Sequence, residues 1–278
     1  MQYGFILPFF DARLAADLAQ EAEAAGWDAI FAWEAVWAAD AWIALTAAAM
    51  KTERIRLGTM LTPIARMRPW KLASETATLD HLSGGRVILA VGLGTVDSGF
   101  EAFGEVTDRK TRAELMDEGL DILAGLWNGQ PFSYAGKHYT VKEYTFPHTP
   151  PAPVQKPRIP VWVVGAWPRM KSMRRVLRWD GLLPNKIGED GNHAAVTPED
   201  LRAMKTFIEA HRERDGSFDY VIEGSTPGDD PAAAAAIVRP WLEAGATWWL
   251  EAMWDAGRTD LDRVRARIQQ SPPRVQEA

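Results

Sequence analysis

The chain of 278 residues has no cysteine, which excludes a disulfide scaffold, a thiolate metal site and a cysteine nucleophile. It lacks any apolar run near the roughly 18 residues of a membrane span. Positive charge is not in surplus: 31 Lys and Arg face 37 Asp and Glu, a net −6, so the basic stripe of a nucleic-acid binder is missing. Met1-Gln2-Tyr3 carries none of the basic residues that begin a secretory signal, and a cytoplasmic protein is the expectation. Ready-made catalytic kits are absent as well. There is no G-x-S-x-G elbow and no P-loop, and Gly92-Leu93-Gly94 lacks the third glycine and prompt helix of a dinucleotide fingerprint.

What is plentiful is tryptophan, 13 in all. Most are expected to fill the core, and those at strand ends to wall a pocket. The dominant signal is alternation. Gln2 to Leu7 is an apolar run stopped by Pro8, Leu14, Leu18 and Ala22 share one face of a helix from Asp11 to Ala25, and Asp28 to Trp33 is apolar again. Further strands are expected at 55–61, 86–91, 161–164, 180–183, 220–223 and 247–251, each followed by a helix. Asp108 and Thr197-Pro198-Glu199-Asp200 read as helix starts. A proline-rich segment, 128–160, interrupts the rhythm with a hairpin from Phe132 to Val141 turning at Ala135-Gly136. Eight strands and eight helices in 278 residues predict a single α/β domain spanning 1–278, a (β/α)8 TIM barrel with that hairpin inserted. The insertion is a candidate lid or dimer arm.

In such barrels the chemistry sits at the C-terminal strand ends. These are Pro8, Trp33 and Glu34, Thr59 to Thr62, Gly92 to Thr95, Gly165 to Trp167, Pro184-Asn185, Glu223 and Glu251. None of the five histidines falls there, which weighs against a metal-dependent barrel. Glu34, Glu223 and Glu251 keep a hard-cation site, and with it a metal isomerase, as the weaker alternative. Glycine ends favour something else: they let backbone N–H groups approach a phosphate or a flat ring. An organic cofactor that carries the reactivity fits this inventory.

The runs Arg54 to Pro63, Arg68 to Asp80, Leu82-Ser83-Gly84-Gly85-Arg86 and Val91-Gly92-Leu93-Gly94, with Gly136-Lys137-His138-Tyr139 and Val161 to Gly165, resemble the luciferase-like monooxygenase family in order and spacing. The resemblance covers about residues 1–185. It implies a bacterial-luciferase-like barrel that binds FMN or the deazaflavin coenzyme F-420 at its strand ends, usually in dimers. By position it makes Glu34 an acid beside the cofactor and puts Thr59 and Met60 at a strand-three bulge that in relatives often holds a non-prolyl cis peptide. Thr62, Leu93, Gly94, Gly165, Ala166 and Trp167 match cofactor contacts, the phosphate lying near Gly165 and Ala166. Trp33, Trp37, Trp167 and Trp254 are expected around an apolar substrate pocket.

One departure is instructive. Deazaflavin-dependent members often carry a histidine directly after the strand-two acid, and here that place is Ala35. Glu34 is then the local candidate for proton transfer, a task needing a raised pKa; the alternative is an ionised Glu34 that only holds the cofactor. Arg66 and Arg68 are candidates to face an anion, and Asp80 reads as structural. The implied activity is an oxidoreductase acting on a small, largely apolar organic substrate, either a monooxygenase using reduced FMN from a separate flavin reductase or a deazaflavin hydride-transfer enzyme. A non-catalytic flavin-binding protein is the alternative.

Overall fold

The computed structural model describes residues 1–145 and 147–275. Eight parallel strands close on themselves: β1 Gln2–Ile6, β2 Ala29–Ala32, β3 Arg56–Thr59, β4 Val87–Gly92, β5 Val161–Trp167, β6 Gly181–Ile187, β7 Asp219–Gly224 and β8 Trp248–Ala252. Each pairs with the next, and β1 pairs with both β2 and β8, with Phe5 opposite Ile30 on one side and Glu251 on the other. The helices follow as α1 Ala12–Ala24, α2 Ala41–Ala49, α3 Pro69–Ser83, α4 Arg109–Asn128, α5 Met170–Val176, α6 Pro198–His211, α7 Pro231–Glu243 and α8 Leu261–Gln269. The expected barrel is therefore present. Aspartates 11, 40, 108 and 230 each accept a first-turn N–H, and Thr197 with Asp200 forms a capping box.

Period-two alternation sorts every strand. Phe31, Trp162, Trp248, Ile88, Ala90, Leu183, Val221 and Leu250 point inward as one cluster, while their neighbours pack outward against the helices. At the floor Phe31 lies 5.6 Å from Trp162 and 6.5 Å from Trp248, centroid to centroid. Glycines make that possible. A Cβ on Gly58 would stand 2.5 Å from the Phe31 ring, and one on Gly4 would stand 2.6 Å from it.

Strands β5 and β6 run further than expected, to Trp167 and Ile187. Pro184 does not stop β6, because β7 pairs with it only at Gly181 and Leu182, leaving a free edge on which proline is tolerated. Two family-like motifs turn out to be structural. The Arg86 guanidinium donates to the carbonyls of Ala49, Thr52, Ile55 and Ser83, tying the Ser83-Gly84-Gly85 turn to the end of α2. Buried Asp80 accepts from the Gln155 backbone (3.1 Å) and amide (2.7 Å), and Gln155 in turn accepts from Arg56, so the segment before β5 is strapped to the strand-start face.

The hairpin strands are Phe132–Ala135 and Thr140–Tyr144, so the turn sits at 136–139, just beyond the expected Ala135-Gly136. Its backbone N–H groups at Lys137, His138 and Tyr139 converge on the Glu118 carboxylate of α4. The hairpin thus lies along α4, and among the described residues none of 128–160 lines the cleft described below.

Outside the barrel wall, fully buried Glu251 accepts from Thr226 N (2.7 Å), Thr226 Oγ1 (2.8 Å) and Arg267 Nε (3.2 Å), fastening α8 to β7 and β8. Removing one partner of such a pair strands a buried charge. Arg267→Met is expected to destabilise the fold by about 3–5 kcal/mol, measured as a lowered urea midpoint at unchanged slope.

Candidate active site

The inward residues stop filling the barrel above Ala90 and Leu183, and a cleft of ≈1180 Å³ opens at the strand ends. Its wall is apolar, with Trp33, Met60, Leu61, Leu93, Val164 and Trp254. A Cβ on Gly92 would fall 2.9 Å from Leu61 and 3.0 Å from Val164, so glycine keeps the wall flat there. Gly94 has φ +72°, which a side chain rarely adopts. The carbonyls of Leu93 and Gly94 both accept from Arg112 Nη1, at 2.8 and 3.0 Å, which pins this turn to α4. Strand β3 ends at Thr59, and the chain pairs again with β4 at Thr62-Pro63; between them the Met60–Leu61 peptide is cis, as the resemblance implied for this bulge.

Glu34 lines this cleft, as do Asp97 and Asp108 nearer its exposed edge. Glu34 is half-buried, yet its Oε2 is sequestered from solvent and has no hydrogen-bond partner. Loss of water raises its pKa to about 7, against the opposing pull of Arg66 and the Thr62 hydroxyl; Asp40 and Glu75 push the same way as burial. Arg66 itself donates to the Ala35 carbonyl at 2.8 Å. Arg68 stacks over Trp70 instead, and neither arginine lines the cleft.

One rim of the cleft is cationic. Arg109, Lys110, Arg169 and Lys171 line it, all exposed, and none of the four takes part in an ion pair among the described residues. Partial loss of water, then the like charges of Arg169 and Arg112, pull the Arg109 pKa down. Such a cluster has the chemistry to receive an anionic group, although Asp97 and Asp108 line the same cleft.

Of the residues singled out from the sequence, Glu34, Met60, Leu93, Gly94 and Ala166 line the cleft. Thr59 and Thr62 lie behind its wall, fully buried. Gly165 and Trp167 face the other way. The missing Cβ of Gly165 makes room for Leu182, Met173 and Val176, and Trp167 packs edge-on against Phe207. Trp37 is 83% exposed and, unlike Trp33 and Trp254, is not part of the wall. Glu251 points outward into its own network, so Glu34, Glu223 and Glu251 do not converge on a cation. Glu223 stays at the mouth, its pKa raised by the surrounding protein and lowered by a hydrogen bond with Trp254.

Sequence reading missed the cationic rim and His193. Arg109 opens α4 and Arg169 caps the start of α5, helix-start positions that could have flagged them. His193 reaches the cleft on a short return strand beside the end of β6, where Nδ1 lies 2.8 Å from Asn185 Oδ1. The expectation that no histidine approaches a strand end is thereby corrected.

The barrel has counterparts among known proteins. The chain is 29% identical over 248 residues to an F420-dependent glucose-6-phosphate dehydrogenase of Kineococcus radiotolerans, covering 84% of this chain and 69% of that protein. Its fold is similar to that of the coenzyme F420-dependent tetrahydromethanopterin reductase of Methanopyrus kandleri, with TM-score 0.76 and 18% identity over 97% of this chain and 96% of that one. It is also similar to the oxygenating constituent of 3,6-diketocamphane monooxygenase of Pseudomonas putida, solved with FMN (TM-score 0.63, 19% identity, 81% of this chain and 67% of that one). The family profile described as luciferase-like monooxygenase matches residues 2–274, and the chain belongs to that family.

Proposed function

We propose that the cleft holds the ring of FMN or of the deazaflavin coenzyme F-420, and that the protein is an oxidoreductase acting on a small, largely apolar organic substrate. The observation that carries this reading is the pairing of a flat apolar wall at Leu61, Gly92, Val164 and Ala166 with an unpaired cationic rim at Arg109, Arg169 and Lys171. A ring needs the first, and a phosphate the second. The cofactors named for the similar proteins support the same pair of candidates. The rim moves the proposed phosphate contact from Gly165 itself to the side chains that follow it.

Bound in reduced form, the cofactor would supply the hydride, or with FMN the oxygen chemistry. The chain supplies position and dryness. Trp33, Met60 and Trp254 exclude water from the substrate side. Glu34, with a pKa near 7, can hold or accept a proton at working pH. With FMN a separate flavin reductase would be the partner, and the cytoplasm the setting.

A homodimer is part of this reading. Helix α2 has no charged residue, and its outer face leaves Ile43 63% and Met50 70% exposed. A helix apolar on all sides is ordinarily covered, and a second copy is the proposed cover. Sedimentation is expected to give a dimer that I43K/M50K converts to monomer.

Absorbance and fluorescence titration of the chain with FMN and with the deazaflavin tests the cofactor directly; binding of neither overturns the reading. Tight binding without substrate-dependent reoxidation would instead identify a flavin-binding protein. The double variant R109A/R169A is expected to weaken FMN binding at least about tenfold while leaving riboflavin, which has no phosphate, unchanged.

Glu34→Gln is expected to lower kcat/KM by about 10²–10⁴. It also has a stability signature. Glu34 keeps its proton to about pH 7 when folded but ionises near 4.5 when unfolded, so its contribution is full below 4.5 and lost as pH rises through 7. The Tm of E34Q relative to the parent is therefore expected to rise between pH 5 and pH 8.

A further inference from the structure

Strands β3, β4 and β5 supply the flat wall of the cleft, and β2 and β6 border it on either side. Glu34 follows β2. The opposite flank carries a pair of side chains that the proposed function leaves unused: Asn185, in β6 beside Ala166 of β5, and His193, both lining the cleft. A built scaffold brings His193 there. The chain leaves β6 at Ile187, turns, and comes back antiparallel, with His193 opposite Ile187 and Ala194 opposite Lys186. Inside the turn the Gly191 N–H donates to the Gly188 carbonyl at 2.9 Å, and the Gly188 N–H donates to the Asn192 carbonyl at 2.8 Å. The Asp190 carboxylate accepts from the Asn192 N–H at 2.9 Å. Lys186 then donates to Asp200 at 2.8 Å, which ties this excursion to the start of α6.

The contact between the two side chains fixes more than the place of the ring. His193 Nδ1 lies 2.8 Å from Asn185 Oδ1. An amide oxygen only accepts, so the hydrogen of this bond sits on Nδ1. A neutral imidazole has a single N–H, and Nε2 is therefore left with a bare lone pair. Among the described residues nothing is hydrogen bonded to Nε2.

We propose that His193 Nε2 recognises the substrate by accepting a hydrogen bond from its hydroxyl group, and that Asn185 is the positioning residue that keeps Nε2 free to do so. A hydroxyl is the donor that fits this flank. The rim residues Arg169 and Lys171 follow β5, the strand next to Asn185, and they repel an ammonium group, the other common donor of a small organic molecule. Bringing an uncharged hydroxyl into an apolar cleft also costs far less than bringing in an ammonium. The inference rests on the reading of the cleft as a substrate pocket, and it gives that largely apolar substrate its polar group.

Nitrogen-15 NMR of the histidine rings at about pH 9, where imidazoles are ordinarily neutral, tests the role of Asn185 on the ligand-free chain. The His193 resonances are those missing in H193F. The hydrogen is expected on Nδ1 in the parent and in N185D, which keeps an acceptor oxygen, and on Nε2 in N185L, with thermal melts reporting that the variants are folded. Cyclohexanol and its methyl ether are the probes for recognition, added to the ligand-free chain and to the chain loaded with FMN or the deazaflavin. Cyclohexanol is expected to move the Nε2 resonance and to bind about three- to tenfold more tightly than the ether, and H193F to bind the two alike. A hydrogen on Nε2 in the parent, an Nε2 resonance that cyclohexanol leaves in place, or a preference for the alcohol that survives in H193F would overturn the proposal. If neither flavin binds, the cofactor reading falls, and the ligand-free measurements still decide the role of His193.

Discussion

The packing of three large aromatic rings at the barrel floor governs what lies above it. Phe31, Trp162 and Trp248 fill the lower half of the cylinder only because Gly4, Gly58 and Gly181 leave no Cβ in their way. With the floor occupied, the residues one and two inward positions higher can be small. Ala90, Gly92, Val164 and Ala166 are, and the space they do not fill is the cleft. The cavity is thus a consequence of volume displaced to one end of the core.

Dryness at that end sets the chemistry. Glu34 sits where apolar walls have removed its water without providing a full set of hydrogen bonds, and its neighbours Asp40 and Glu75 reinforce the effect. Arg66 lies close enough to oppose it but is spent on the Ala35 carbonyl. The balance leaves a carboxyl able to change state near neutrality. Positive charge is kept at a different edge of the cleft, where Arg109 and Arg169 gather on separate elements and outnumber the neighbouring Asp108. One end of the site therefore suits a neutral or proton-donating group, and the other suits an anion.

Most of the barrel was legible because strand and helix runs alternate with clear punctuation: Asp11, Asp108, Thr197 and Gly26 stand at helix ends as their chemistry requires. The site was legible in part. Glu34, Met60, Leu93, Gly94 and Ala166 could be placed from strand ends and resemblance. Gly165 and Trp167 do not line the cleft, because in-out alternation, which strand-end position alone does not reveal, turns them toward α5 and α6. His193 was hidden for another reason: a return strand after β6 carries it back to the mouth, and nothing local in Gly191-Asn192-His193 announces that pairing. The cationic rim requires two helix starts from different βα units to meet in space, information that no window along the chain contains.

Arg112 adds a dimension to this arrangement. It clasps the turn beside the apolar wall while riding on the same helix as Arg109, one turn away. The helical rise of about 1.5 Å per residue puts these two anchor points roughly 4.5 Å apart along α4. Wall and rim are in this way graduations on one rigid rod, so the molecule carries a built-in gauge for how far a ligand's charged tail can stand from its flat head.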